Sequence, residues 1–110
     1  MSQRLMRVSI YINEADEWRS RPLHLEMLGM LHRRGVAGGT VLRAVAGFTG
    51  KGGVETTSLV DAGGRLPLVI EFIDTAEKIE SVLAEVMAMA GDRLVVREVV
   101  EVVAGPDSPK

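Results

Sequence analysis

Along this 110-residue chain, apolar residues recur every two residues in some segments, as in a strand, and about every 3.6 residues in others, as in a helix. The spacing changes from the first to the second and back twice, and this pattern constrains the fold most strongly. In residues 5–12, Met6, Val8, Ile10 and Ile12 fall on one face, as in a half-buried strand. Further strands are predicted at about 39–46, 67–73 and 93–103. Helical repeats follow the strand of residues 5–12 and the strand at about 67–73.

Both helices are delimited by residues that start and stop helices. Pro22 suits a first helical turn, because its missing N–H would lack a partner there in any case, and Gly35 is placed to end that helix. The second helix is predicted to start at Asp74 or Thr75 and to end at Gly91. The element order is therefore βαββαβ.

The order βαββαβ consists of two split βαβ units. With right-handed crossovers, these units predict an α+β, ferredoxin-like fold. Its four-stranded antiparallel sheet has the order 4-1-3-2, both helices cover one face, and a long loop follows strand two. We expect one domain over residues 1–110, with residues 1–4 and 104–110 flexible.

Charge and composition exclude several classes of function. Against 15 Asp and Glu the chain has 13 Lys and Arg, a net charge of −2, which argues against a nucleic-acid partner. It has no cysteine, so disulfides, thiolate zinc sites and cysteine nucleophiles are excluded. The apolar runs are far shorter than the ~18 residues of a membrane span, and the N-terminus lacks a signal-peptide pattern. We expect a cytoplasmic protein.

The sheet face away from the helices is predicted to be unusually apolar. Strand one turns Arg7 and Tyr11 outward, strand three turns Glu71 outward, and strand two turns Arg43 outward. Because strand three lies between the other two, Glu71 is expected between Arg7 and Arg43. The valine and isoleucine side chains around them exceed what a monomer usually exposes, so we predict an oligomer interface at these four residues. A solvated face with ordinary charges is the alternative.

A glycine-rich stretch follows strand two, and residues 47–65 contain six glycines. This predicts a long loop without regular structure, of the kind that often carries function. Successive backbone N–H groups of such a loop can cradle an anion. The predicted ligand-binding residues are Gly47, Phe48, Thr49, Gly50, Lys51, Gly52 and Gly53, with Arg93 as a further source of charge. A flexible loop with no ligand is the alternative.

The sequence gives little support for a P-loop, a metal site or a catalytic centre. Val45 stands where a P-loop needs its first glycine, and Gly52 stands where it needs Ser or Thr. His24 and His32 lie eight residues apart rather than at the i, i+4 spacing of a helical metal pair. No nucleophile with an evident activating base is found, so we expect neither a metal nor an enzyme.

Five segments, taken in order, form a fairly specific pattern that covers about residues 5–103. They are Arg21-Pro22-Leu23-His24, Gly38-Gly39-Thr40-Val41-Leu42-Arg43, Gly47-Phe48, Leu66-Pro67-Leu68-Val69-Ile70-Glu71 and the valine-rich closing strand. In order and spacing they resemble the PII-like (GlnB-like) superfamily, and in particular its domain-of-unknown-function family numbered 190.

The resemblance implies a homotrimer of ferredoxin-like subunits whose sheets face inward, with a long mobile loop after strand two. It also implies ligand sites in the clefts between subunits. Several superfamily members bind adenine nucleotides there and convey the signal to transporters or enzymes. A membrane transporter or channel protein is accordingly the implied partner, besides further copies of this chain.

Two positions match the nucleotide cleft of PII proteins residue by residue. Gly47 and Phe48 match the start of its Gly-Phe-Gly turn, whereas Thr49 replaces the second glycine. Lys51-Gly52 resembles the Lys-Gly pair that follows. The connection over residues 91–93 is shorter than the phosphate-holding loop of PII proteins. The prediction is therefore an anionic effector, with an adenine nucleotide as one candidate.

Two functions remain open on the sequence alone. The first is a homotrimeric regulatory protein that binds a small anionic effector in intersubunit clefts near residues 47–53 and acts on a partner protein. The alternative is a structural or assembly trimer with no small-molecule ligand.

Overall fold

The computed structural model describes residues 3–57 and 65–105. The elements are β1 (Gln3–Asn13), β2 (Glu17–Trp18), β3 (Arg21–Pro22), α1 (Leu23–Arg33), β4 (Gly38–Arg43), β5 (Ala46–Gly47), β6 (Glu55–Thr56), β7 (Pro67–Asp74), α2 (Ala76–Ala90) and β8 (Leu94–Val102). The main sheet is antiparallel in the order β4-β7-β1-β8. This is the predicted 4-1-3-2 order, so the predicted α+β, ferredoxin-like fold is confirmed.

A single apolar core joins both helices to one face of the sheet. Of the alternating residues of β1 and β7 that were expected to face inward, all but Met6 are buried in it, together with one stripe of each helix, and Met6 is partly buried against it. The core consists of Val8, Ile10, Ile12, Leu23, Met27, Met30, Leu31, Leu68, Ile70, Phe72, Ile79, Val82, Val86, Met89 and Ala90.

The predicted helix boundaries are confirmed at three of their four ends. The Thr75 hydroxyl accepts the Lys78 N–H at 3.1 Å and caps α2. Gly35 (φ +79°) and Gly91 (φ +63°) end the two helices in conformations that favour glycine. Helix α1 has no side-chain cap; instead the Leu23 N–H donates to the Asp16 carbonyl at 2.9 Å.

Two short hairpins stand where the sequence predicts loops. In the first, β2 pairs with β3 through a two-residue turn in which Arg19 (φ 52°) and Ser20 (φ 67°) are both left-handed. Trp18 on β2 packs against the core, and the Arg19 guanidinium lies 5.1 Å from its ring centroid. Strands of two residues are too short to produce a detectable period.

The second hairpin corrects the expectation of an unstructured loop over residues 47–65. Ala46 pairs with Thr56, and Gly47 pairs with Glu55. Ala46 therefore belongs to β5 and not to the strand predicted at about 39–46. Residues 58–64 of that loop lie outside the described residues. At the N-terminus, Gln3 and Arg4 pair with β8 although residues 1–4 were expected to be flexible; residues 1–2 and 106–110 also lie outside the described part.

The strand register corrects the expected position of Arg43. Arg43 lies opposite Leu68, and Val41 lies opposite Ile70, so both belong to the helix side of the sheet. The residue opposite Glu71 on β4 is Thr40. Because side chains alternate with a period of two, an error of one residue in register moves a whole strand to the other face. The expected row of Arg7, Glu71 and Arg43 therefore does not form.

Arg7, Tyr11 and Glu71 do lie on the uncovered face, as predicted. The Arg7 Nε donates to Glu98 of β8 at 2.9 Å, whereas the pair predicted from the sequence was Arg7 with Glu71. One row across this face is entirely apolar and consists of Leu42, Val69, Tyr11 and Leu94. No helix formed by residues 3–57 or 65–105 has the length and apolar character needed to span a membrane.

Candidate functional site

A cleft of about 720 Å³ opens at the end of the sheet where β4 finishes and β7 and β8 begin. Its size falls within the range of small-molecule sites. It is lined by Tyr11, Ile12, Asp16, Ala44, Ala46, Gly47, Phe48, Thr49, Gly50, Pro67, Leu68, Val69, Asp92, Arg93 and Leu94. Because Tyr11, Val69 and Leu94 also belong to the apolar row, the cleft is continuous with the uncovered sheet face.

Glycines shape the wall formed by residues 46–50. A Cβ atom at Gly47 would lie 3.3 Å from Cγ of Pro67, so glycine allows this segment to approach the start of β7. Gly50 has φ +55°, and the Gly52 N–H closes the following turn on the Thr49 carbonyl at 3.0 Å. The N–H groups of Phe48, Thr49 and Gly50 donate no hydrogen bond to any described residue. They are donors available to an anion.

The turn after β1 holds the base of the cleft together. The Asp16 carboxylate accepts the Asn13 N–H at 2.8 Å, and the Asn13 carbonyl accepts the Asp16 N–H at 2.9 Å. The Asn13 side-chain amide donates to Glu55 on β6 at 2.6 Å. The turn therefore connects β1 with the hairpin of β5 and β6.

Glu14 in the same turn ties the start of β7 to the end of β4. Its Oε1 atom accepts the Leu66 N–H at 2.8 Å and an Arg43 Nη2–H at 3.2 Å. The Leu66 N–H lowers the pKa of Glu14 most, burial opposes that effect, and Arg43 lowers the pKa further. The net direction is downward, so the carboxylate form is favoured at neutral pH.

Arg93, the cation of the cleft, is held by Asp16. Its Nε donates to Asp16 Oδ2 at 2.9 Å and its Nη1 donates to the Ala90 carbonyl at 3.0 Å. The hydrogen bond that Arg93 donates to Asp16 is the largest cause of a raised pKa for Arg93. Burial raises the pKa of Asp16, but the bonds from Arg93 and from the Asn13 N–H outweigh it, and the net pKa is lowered. Both groups are therefore charged at neutral pH.

The lining combines few charges with a large apolar surface. Arg93 is its cation, whereas Asp16 and Asp92 are anions, so these side chains leave the cleft with one net negative charge. Tyr11, Val69 and Leu94 make the side of the cleft next to the uncovered sheet face apolar, and Phe48 and Pro67 add apolar surface on its other side. The arrangement suits a ligand with an apolar part and a group that reaches the guanidinium and the free N–H groups.

The structure brings together five of the eight ligand-binding residues predicted from the sequence. Gly47, Phe48, Thr49, Gly50 and Arg93 line the cleft. Lys51, Gly52 and Gly53 lie outside its lining. Whether any of the eight contacts a ligand stays a prediction.

Two residues that organise the cleft are not among those predicted from the sequence. Asp16 lines the cleft and holds Arg93, and Glu14, in the same turn but outside the lining, holds Leu66. A signal was present, since Asn13 followed three residues later by Asp16 at a strand end is typical of a side-chain-stabilised turn. Their distant partners, Leu66 and Arg93, could not be found from local spacing. Among residues 3–57 and 65–105 no three histidine or carboxylate side chains cluster to hold a metal ion.

Sequence comparison assigns the chain to a family. Residues 5–102 match the family DUF190, described as "Uncharacterized ACR, COG1993", and the chain belongs to that family. It is 31% identical over 86 residues to a UPF0166 protein of Aquifex aeolicus, a match that covers 78% of this chain and 80% of the relative. It is 30% identical over 76 residues to a UPF0166 protein of Methanocaldococcus jannaschii, covering 69% of each chain.

Solved structures of PII-like proteins share the fold. CPII of Thiomonas intermedia, a nitrogen regulatory PII-like protein bound to ADP, AMP and bicarbonate, superposes with a TM-score of 0.66 at 20% identity, over 94% of this chain and 92% of that one. A PII-like signalling protein of Thermus thermophilus gives a TM-score of 0.60 at 20% identity, over 92% and 89% of the two chains. The predicted resemblance to DUF190 is confirmed by the family match, and the likeness to PII-like proteins is confirmed for the fold.

Proposed function

We propose that this protein is a PII-like regulatory protein that binds a small anionic effector in the cleft beside residues 47–50 and acts on a partner protein. One observation carries the proposal: the glycine segment and Arg93 meet across a single cleft of about 720 Å³ although 43 residues separate Arg93 from Gly50. The free N–H groups of the segment and the guanidinium supply donors suited to phosphate or carboxylate.

An adenine nucleotide is the leading candidate for the effector. Its ring would lie against the part of the lining that does not belong to the apolar row, at Phe48 and Pro67, and its phosphate would reach Arg93 and the N–H groups of residues 48–50. The ADP and AMP found in CPII, which has the same fold, support this choice, and bicarbonate is a second anion to test.

The proposed assembly is a homotrimer with the apolar row at its centre. Leu42, Tyr11 and Leu94 are each about half exposed in the single chain, and such a contiguous apolar face usually marks an interface. The cleft opens beside this face, so a neighbouring subunit would complete its lining. A structural trimer without an effector is the second candidate, and the apolar row favours it equally.

For the partner we propose a membrane transporter or channel protein, contacted by the hairpin of β5 and β6. Val45, Phe48 and Val54 are all exposed on this segment and provide an apolar contact surface. Binding of an effector would change the conformational freedom of the hairpin and thereby its affinity for the partner.

Calorimetric titration with ADP, AMP, bicarbonate and inorganic pyrophosphate tests the effector site. We expect ADP to bind, Arg93→Gln to weaken binding at least about tenfold, and Arg97→Gln to leave it within about twofold. Arg97 is a matched control because it pairs with Glu80 and neither residue lines the cleft. Absence of binding by all four compounds at millimolar concentration would favour the structural trimer, for which Phe48→Ala and Lys51→Ala would change hairpin mobility alone.

A further inference from the structure

The cleft contains an arrangement that opposes the binding of an anion. Its guanidinium is already bonded to a carboxylate, and a second carboxylate, Asp92, lies beside Arg93 on the lining. An incoming anion therefore meets one net negative charge rather than a free cation. Charge repulsion of this kind acts strongly where water is partly excluded.

Asp16 is fixed in this role by the fold. Its Oδ2 atom accepts both the Arg93 Nε–H and the Asn13 N–H, while its backbone carbonyl accepts the Leu23 N–H at the start of α1. Three elements thus determine where the carboxylate lies. A side chain that only balanced charge at the surface would not need this number of bonds.

We propose that Asp16 is an internal anion that occupies Arg93 in the absence of effector and must give up that bond when an anionic effector binds. This deepens the proposed function, on which it rests, because it explains how the same cleft discriminates among ligands by charge. Asp16 weakens the binding of every anion, and the penalty grows with the negative charge that the ligand places beside Arg93.

The release of Asp16 also has a route to the partner-binding hairpin. Asp16 is bonded to the backbone of Asn13, and the Asn13 side chain holds Glu55 on β6. When Asp16 leaves Arg93, the turn over residues 13–16 loses one of its anchors. The hairpin is attached to that turn and responds to the same event.

The test compares Asp16→Asn with wild type, using inorganic pyrophosphate and adenosine as probes. Asparagine retains an oxygen that can accept the Asn13 N–H but lacks the charge. We expect pyrophosphate to bind about fivefold more tightly to Asp16→Asn than to wild type, which is the size of effect expected for one partly exposed ion pair. The affinity for adenosine should change by less than about twofold. Glu80→Gln removes the same charge from a residue outside the cleft lining and should leave both affinities within about twofold.

A measurement on the wild-type protein gives an independent result. The NMR resonance of Arg93 Nε–H should shift on addition of pyrophosphate and stay in place on addition of adenosine, because the anion alone replaces Asp16. Asp16→Ser, which also keeps an acceptor for Asn13, takes the place of Asp16→Asn if the latter is not folded by circular dichroism.

The outcomes separate this inference from the proposed function. If wild type binds pyrophosphate in a manner that Arg93→Gln abolishes, yet the uncharged variants bind it no more tightly, the role of Asp16 is wrong and the effector site stands. If neither wild type nor the uncharged variants bind any probe, both proposals fail. Equal tightening for adenosine and pyrophosphate would identify a structural effect and overturn the charge argument.

Discussion

Tyr11 and Leu94 lie directly opposite each other on β1 and β8, on the face of the sheet that neither helix covers. Val69 continues the same row on the other side of Tyr11, and Leu42 follows it. Directly opposed side chains on adjacent strands pack closely, so the row forms a continuous apolar band across four strands. This band is the surface on which the proposed trimer depends.

The first prediction concerns this band. Leu94→Glu should convert the proposed trimer to a monomer, because three buried carboxylates would be brought together at an apolar centre. Val99→Glu is the matched control: Val99 lies on the same strand with 59% exposure against 61% for Leu94, but on the helix side. Multi-angle light scattering at micromolar concentration should give a trimer mass for wild type and Val99→Glu. A monomeric wild type would contradict the trimer, and a trimeric Leu94→Glu would contradict its centre.

The second prediction is a pH dependence of stability that originates in Glu14. The pKa of this carboxyl is lowered in the folded protein, chiefly by the Leu66 N–H, so its contribution is present above the unfolded pKa of about 4.3 and is lost as pH falls through the folded value. Glu14→Gln keeps an acceptor for Leu66 but loses the charge. We expect it to reduce the free energy of unfolding by about 1 kcal/mol at pH 7.

Urea unfolding of wild type and Glu14→Gln at several pH values checks this expectation. The difference in unfolding free energy should be constant from about pH 6 to pH 8, should shrink as the pH falls below the unfolded pKa of about 4.3, and should disappear once Glu14 is protonated in the folded wild type. If the difference in unfolding free energy persisted unchanged at pH 3, the effect of Glu14→Gln would come from the altered side-chain contacts and not from the lost charge.

The third prediction concerns Asp74, a fully buried carboxylate between β7 and α2. Its two oxygens accept the Ala37 N–H at 2.9 Å and the Thr75 N–H at 2.7 Å. Asp74→Ala removes both acceptors and should destabilise the protein by about 2 kcal/mol, because two backbone N–H groups lose their hydrogen-bond acceptors. Asp74→Asn retains one acceptor and should lose less, as measured by the midpoint of urea unfolding. Equal midpoints for wild type and Asp74→Ala would show that these bonds contribute nothing.

The sequence predicted the order of the long elements well because their signals are local. Thr75 and Gly91 mark the ends of α2 through capping and backbone conformation, and both effects lie within a few residues. The inward faces of β1 and β7 were also predicted correctly, since a charged residue marks an outward position on each strand, Arg7 on β1 and Glu71 on β7.

Strand β4 shows why the rest could not be predicted. Its pattern Gly-Gly-Thr-Val-Leu-Arg has no clear polar alternation, so Val41 and Leu42 were equally plausible inward residues. The register with β7 decides between them, and it depends on contacts between residues about 30 positions apart. The same limit applies to the pair of Asp16 and Arg93, which are 77 positions apart in the chain.

The last prediction tests whether the close approach of the glycine segment to β7 matters for binding. A methyl group at Gly47 would lie 3.3 Å from Cγ of Pro67, so Gly47→Ala should push residues 46–50 away from the start of β7 and reshape the cleft. Gly53→Ala is the matched control, because a Cβ atom there meets nothing within 4 Å and Gly53 does not line the cleft.

Titration with ADP should show at least about fivefold weaker binding by Gly47→Ala and affinity within about twofold of wild type for Gly53→Ala. Both variants should unfold at similar urea concentrations, since neither substitution touches the core. Equal affinities for Gly47→Ala and wild type would place the effector away from the wall that residues 46–50 form. Weakening by Gly53→Ala to the same extent would attribute the loss to hairpin mobility, because that position has no contact through which to reshape the cleft.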